Sequence, residues 1–158
     1  FLCESPEQPS LELRLKGAQE VLTRAGLTWD VLNTGVDRVN AYSMVEQYYL
    51  DHPDCAGFFS TDTTGTPIAG EFVRKKKLQG VVRVGGFDLM PEVIDGILKG
   101  YVDFTIDQYP YLQGFQTVFQ LFFAKTLGFK PFVHKQVPAF VTKDNAARIQ
   151  ELSAAGYR

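Results

Sequence analysis

Near the start of the chain, apolar residues fall at Leu11, Leu15, Ala18, Leu22 and Ala25, one stripe at helical spacing. Ser10 is placed to cap this helix, Glu12 suits its first turn, and Gly26 closes it. Thr28-Trp29-Asp30-Val31-Leu32 reads as a short strand, and a second helical pattern runs through Tyr42, Val45 and Tyr49 to the turn Asp51-His52-Pro53-Asp54. Ala56-Gly57-Phe58-Phe59-Ser60 is a continuous apolar run of strand length, as expected for a strand covered on both faces. A helix over 66–77, a strand over 81–87, a helix beginning at Pro91 and a strand over 104–108 follow.

Strands and helices thus alternate, which predicts an α/β fold: a mostly parallel sheet flanked by helices in a three-layer, Rossmann-like arrangement. Polar residues recur just past the strands. Ligands of open α/β sheets bind outside the carboxyl ends of the strands, so Asp62, Asp88 and Gln108 are expected to converge on one cleft edge. The last third departs from the pattern. The helix predicted over 109–128 carries Tyr109, Tyr111, Phe115, Phe119, Phe122 and Phe123, more aromatic surface than a lone amphipathic helix leaves exposed. Val137 to Val141 reads as a final strand, and Asp144-Asn145 as the cap of a short terminal helix.

With 158 residues and 45% hydrophobic content, the chain has enough apolar side chains for a packed core and is not a disordered tail. For a mass of 17.7 kDa, surface scaling gives about 8,000 Å² for one compact domain. Sixteen basic residues against eighteen acidic ones make no field for nucleic acid or an anionic membrane. No apolar run is long enough to insert into a bilayer. Cys3 and Cys55, with no CxxC or Cys/His cluster, read as buried thiols rather than zinc ligands. Phe1-Leu2-Cys3 reads as the end of a strand already under way, so the chain is expected to be a mature fragment.

Asp62 and Asp88 are the most informative charges, because a carboxylate in this position can accept paired hydrogen bonds from ligand hydroxyls. The plain alternative is that each caps the following helix. No nucleophile, metal set or histidine partner accompanies them, so binding rather than catalysis is expected. The glycines form neither GxxxxGK[ST] nor a strand-anchored GxGxxG, and no cofactor is expected. Arg74-Lys75-Lys76-Lys77 reads as a helix C-terminus favoured by the macrodipole, and His52-Pro53-Asp54 as a turn. Arg14, beside Leu15 of the first stripe, reads by pattern alone as a solvated residue.

Arg14-Leu15-Lys16-Gly17, Phe58-Phe59-Ser60-Thr61-Asp62, Val84-Gly85-Gly86-Phe87-Asp88 and Thr105-Ile106-Asp107-Gln108-Tyr109-Pro110-Tyr111 occur here in an order and spacing that carry a resemblance. The chain resembles the C-terminal portion of type 1 periplasmic sugar-binding proteins, the ribose-binding-like family. The resemblance implies two Rossmann-like lobes closing on a small sugar or polyol for delivery to an ABC-type permease, in the periplasm or another extracytoplasmic space. It implies that residues 1–107 form the second lobe, 108–136 a hinge crossing and a first-lobe helix, and 137–158 a final crossing strand and C-terminal helix. The remaining N-terminal lobe of the same protein is then a partner not in this chain. By resemblance, Arg14 donates to sugar oxygens, Asp88 accepts sugar hydroxyls, Gln108 is a hinge-side ligand residue, and Asp62 stands where ribose-type members carry asparagine. The aromatic position that packs on the sugar corresponds to Val36. The alternatives sharing this fold are the effector domain of a LacI-type transcriptional regulator and a sensor ectodomain.

Overall fold

The fold is built on short strands whose alternate residues face opposite ways, so Phe58 enters the core while its neighbour Phe59 faces the other side of the sheet. The computed structural model describes residues 1–135 and 137–158. The strands are β1 (Leu2–Cys3), β2 (Leu32–Asn33), β3 (Gly57–Phe59), β4 (Arg83–Phe87), β5 (Phe104–Asp107) and β6 (Ala139–Val141). β1 pairs in parallel with β2; β3, β4 and β5 are parallel neighbours, and β6 closes the sheet antiparallel to β5. A bridge between Leu2 and Ser60, with the Thr61 amide donating to the Leu2 carbonyl, joins the two sets in the order β2-β1-β3-β4-β5-β6. Between β1 and β3 the direction of winding reverses, and open α/β sheets bind their ligands beyond the strand ends at such a reversal.

Six helices complete the described residues: α1 (Pro9–Arg24), α2 (Arg38–Asp51), α3 (Gly65–Lys76), α4 (Pro91–Lys99), α5 (Pro110–Leu127) and α6 (Ala146–Ala154). α2, α3, α4 and α6 pack in sequence against one another and bury the main core, including Val45, Ile68, Phe72, Val93, Ile97 and Ile149. Phe72 anchors it: its ring meets Tyr49, Phe58 and Tyr42 edge-on at 5.3, 5.9 and 6.3 Å. Burying such a ring contributes about 3 kcal/mol. α1 joins the parallel strands β1 and β2 and lies on the other side of the sheet, where its Leu22 lines a groove with Phe59 and Phe104. There α1 buries only Leu11 and Leu15.

Beyond shifts of one or two residues at strand ends, the elements differ from the sequence reading in four places. α1 starts at Pro9, whose fixed φ suits a first helical position, with Gln8 as N-cap; Ser10 lies inside the helix and caps nothing. Of the strand expected over 28–32 only Leu32 pairs, because Trp29 turns outward at 40% exposure and donates its indole N–H to Thr23. β3 is not covered on both faces: Gly57 is exposed and Phe59 half-buried. With Phe1, Phe104, Leu22 and Trp29, Phe59 lines an open apolar groove of about 710 Å³ on the α1 side. Asn145 stands at the N-cap of α6, but its side-chain oxygen takes the Thr142 amide instead of a helix N–H.

Gly85 and Gly86 allow the close packing of β4. A Cβ on Gly85 would lie 2.4 Å from the Phe104 ring, and one on Gly86 2.0 Å from the Thr66 hydroxyl of α3. α5 is unlike the other helices, since none of its residues is buried. Its aromatic side chains pack along its own surface, Phe115 stacked on Phe119 at 6.1 Å and Phe119 tilted against Phe123 at 4.5 Å. The accessible surface is 9,785 Å², above the roughly 8,000 Å² of a compact domain of this mass, as such a stand-off helix requires. The end of the expected 108–136 segment falls on Gln136, outside the described residues.

Candidate ligand-binding site

Arg14 rises from the second turn of α1 toward the reversal between β1 and β3. One guanidinium nitrogen donates to the Thr61 carbonyl at 2.8 Å and another to the Gln108 side-chain oxygen at 2.5 Å. The guanidinium plane also lies over the Phe87 ring, 4.1 Å from its centroid. Two fixed bonds and a ring face leave this arginine little rotamer freedom, and its remaining N–H groups are already oriented.

Asp88 follows β4 in a left-handed conformation, φ 72°, a region that Asp tolerates better than most residues but that still costs about 1 kcal/mol. The strand environment holds it there: its amide donates to the Ile106 carbonyl at 3.0 Å, and its carbonyl accepts from the Thr105 hydroxyl at 2.8 Å. This bend turns the carboxylate to the sheet edge. One oxygen accepts from the Gln108 amide at 2.5 Å and the other from the Thr63 hydroxyl at 2.6 Å. Strain kept by surrounding bonds is typical of residues whose orientation serves a site.

Gln108, just past β5, therefore bridges a cation and an anion. Its oxygen faces Arg14 and its nitrogen faces Asp88. Its own backbone carbonyl accepts from the Gln113 side chain in the first turn of α5, which fixes the start of that helix relative to the site. Arg14, Gln108 and Asp88 thus form one continuous chain, with Thr63 at one end and Thr61 at the other. A guanidinium only donates and a carboxylate only accepts, while a hydroxyl does both. An edge that offers both kinds of group side by side suits a ligand with neighbouring hydroxyls.

Asp62 makes no hydrogen bond to the other three. It is 2% exposed, and its oxygens are occupied by the Glu4, Thr64 and Gly65 amides and the Ser60 hydroxyl. It ties the end of β1 to the end of β3 and caps the start of α3, holding Thr61 and Thr63 in place. Val36 is 74% exposed in the approach to α2. Thr61, Thr63 and Phe87 were not singled out from the sequence. The signal for Thr63 was a hydroxyl in the same post-strand segment as Asp62; nothing in a phenylalanine at a strand end announces a stacked arginine.

The 710 Å³ groove is apolar, lies on the sheet face and includes none of Arg14, Asp88 or Gln108. Among the described residues no group of three or more histidine, cysteine or acidic side chains is placed to hold a metal ion, and no helix is long and apolar enough to cross a membrane.

A xylose/arabinose-binding protein of Sulfolobus acidocaldarius is 38% identical over 116 residues, 70% of this chain and 29% of that protein. The crystal structure of an ABC transporter solute-binding protein from Burkholderia graminis in complex with D-arabinose is similar with a TM-score of 0.82 and 23% identity, covering 91% of this chain and 52% of that one. A structure from Bacteroides fragilis described as a LacI transcriptional regulator is similar at 0.75 and 20% identity, covering 87% and 48%. At these identities the two structures speak for the fold alone. The chain spans about three tenths of the curated relative and about half of the solved structures it matches. The model of the periplasmic binding protein domain matches residues 1–124, and the chain belongs to that family.

Proposed function

We propose that the chain forms most of one lobe of a sugar-binding protein that works outside the cytoplasm and hands a pentose or related polyol to an ABC-type permease. The observation that carries this is the Arg14–Gln108–Asp88 chain: a fixed donor and a fixed acceptor, bridged by one amide, at the crevice beyond the strand ends. Sugar hydroxyls replace that amide bridge by accepting from Arg14 and donating to Asp88, both as charge-assisted bonds. Asp62 contributes from beneath by fixing the loop that carries Thr61 and Thr63. The site binds and performs no bond chemistry.

In this reading residues 1–107 are the second lobe, residues 108–136 a crossing and a helix of the first lobe, and residues 137–158 the last crossing strand and helix. The exposed aromatic rings of α5 then pack on a first lobe supplied by the rest of the protein, and closing two lobes encloses the ligand. The 38% identity to a xylose/arabinose-binding protein favours transport over gene regulation. Thermal unfolding in D-xylose, L-arabinose and a sucrose control tests the proposal. A ligand of the native state raises the midpoint by mass action. The rise is expected with a pentose, not with sucrose, and is lost in Arg14→Ala; equal behaviour of wild type and variant in every sugar contradicts it.

A further inference from the structure

The β5–α5 crossing that carries Gln108 is held by two residues outside the site. Asp107, immediately before Gln108, is fully buried (0% exposed). One of its carboxylate oxygens accepts the Tyr109 amide at 2.8 Å and the other accepts from the guanidinium of Arg158. Arg158 comes from the far end of the sequence: α6 ends, the chain turns at Gly156 with φ 80°, and the two following residues lie back across the crossing. There the Arg158 guanidinium also covers the Tyr109 ring, 4.3 Å from its centroid, and Tyr157 meets Tyr111 edge-on at 5.7 Å. Tyr109 itself is left-handed, φ 54°, a conformation that a bulky side chain keeps only when neighbours hold it.

We infer that Arg158 is a positioning residue for Gln108: its ion pair with Asp107 and its stack on Tyr109 clamp both neighbours of Gln108 and set the angle at which its amide meets Arg14 and Asp88. A buried carboxylate stripped of its counter-charge is unstable where it stands, so loss of Arg158 frees Asp107 to turn toward water. The crossing then loses the bond to the Tyr109 amide as well, and the left-handed turn relaxes. Arg158 touches none of the groups offered to a ligand. Its effect on binding therefore runs through the two residues flanking Gln108. That functional half rests on the sugar-binding reading, while the ordering of the crossing does not.

Amide hydrogen exchange on the whole chain tests both halves, with Arg158→Ala and Arg158→Lys set beside wild type. Exchange at Tyr109 and Gln113 is expected to accelerate about tenfold in Arg158→Ala, with the amides of α3 and α4 unchanged. Lysine keeps the charge but not the planar stack, so Arg158→Lys should fall between the two. Wild-type exchange at the crossing in Arg158→Ala overturns the clamp. In the same proteins the affinity for D-xylose or L-arabinose should weaken several-fold in Arg158→Ala, measured where the unchanged α3 and α4 amides show the core still folded. Unaltered affinity despite faster exchange overturns the positioning role. Should wild type bind neither sugar, the sugar-binding reading fails, and the exchange comparison alone still decides whether the clamp exists.

Discussion

Arg14 donates to the side-chain oxygen of Gln108 at 2.5 Å across 94 residues of sequence. That bond joins the first helix to the segment where the chain leaves the sheet for α5. Because Gln108 also donates to Asp88, the state of this one amide reports on both charged groups. A ligand that takes its place must satisfy an acceptor-only and a donor-only partner together, a demand that hydroxyl pairs meet and simple ions do not.

Asp62 and Asp88 occupy similar places in the sequence and should respond oppositely to substitution. Asp62→Ala leaves three amides and a hydroxyl without their acceptor at a buried position, and should cost about 2–4 kcal/mol in urea unfolding. Asp88→Asn keeps the shape and the tolerance for positive φ but removes the charge, and should alter stability by less than about 1 kcal/mol. Its pentose affinity should fall at least about tenfold, the usual worth of a charge-assisted bond. A stable Asp62→Ala protein would remove the capping role.

The two aromatic groups also separate cleanly. Phe72→Ala opens a cavity among Tyr42, Tyr49 and Phe58 and should cost about 3–5 kcal/mol. Phe115→Ser and Phe119→Ser act on rings 56% and 46% exposed and should each stay within about 1 kcal/mol. Equal losses at both places, measured by chemical unfolding of this chain, would mean that α5 has a packing partner within it.

Alkaline conditions should weaken the fold through a third pair of groups. Desolvation and the hydrogen bond to Asp30 push the Tyr48 phenol up to about 12, and burial pushes the Cys55 thiol up. Each is an acid whose folded value lies above its unfolded one, so its stabilisation is complete below the unfolded value and fades as pH rises through the folded one. The thermal midpoint should therefore drop from about pH 9 upward and most steeply between about pH 10 and 12. Tyr48→Phe should flatten the upper part of that decline while keeping the ring against His52 and Phe58. An unchanged profile would mean that Tyr48 titrates as it does in the unfolded chain.

Much of the fold was legible because its signals are local. A helical pattern located α2, Pro91 marked the start of α4, and the apolar runs marked β3 and β4. Asp88 and Gln108 came from their places past strand ends and Arg14 from the family resemblance alone, and these three meet. What was missed depends on distant partners. The Glu4 amide that donates to the Asp62 carboxylate lies far away in the sequence, and the Gly85-Gly86 pair has no reading without Thr66 and Phe104 against it. Trp29 belonged to a strand by propensity, yet a single paired position, Leu32, could not hold the rest of that segment in the sheet.

The central claim is that Arg14, Gln108 and Asp88 together receive a sugar, and the most direct measurement is a nuclear magnetic resonance titration of the labelled chain with D-xylose and L-arabinose. Saturable shifts are predicted at the Arg14 guanidinium, the Gln108 side-chain amide and the backbone of residues 61–63 and 86–88. One lobe leaves much of a ligand in water, so the dissociation constant should be on the order of millimolar, within reach of saturation. Shifts that never saturate, or that gather in the apolar groove around Trp29 and Phe59 while the Gln108 amide stays still, would contradict the account.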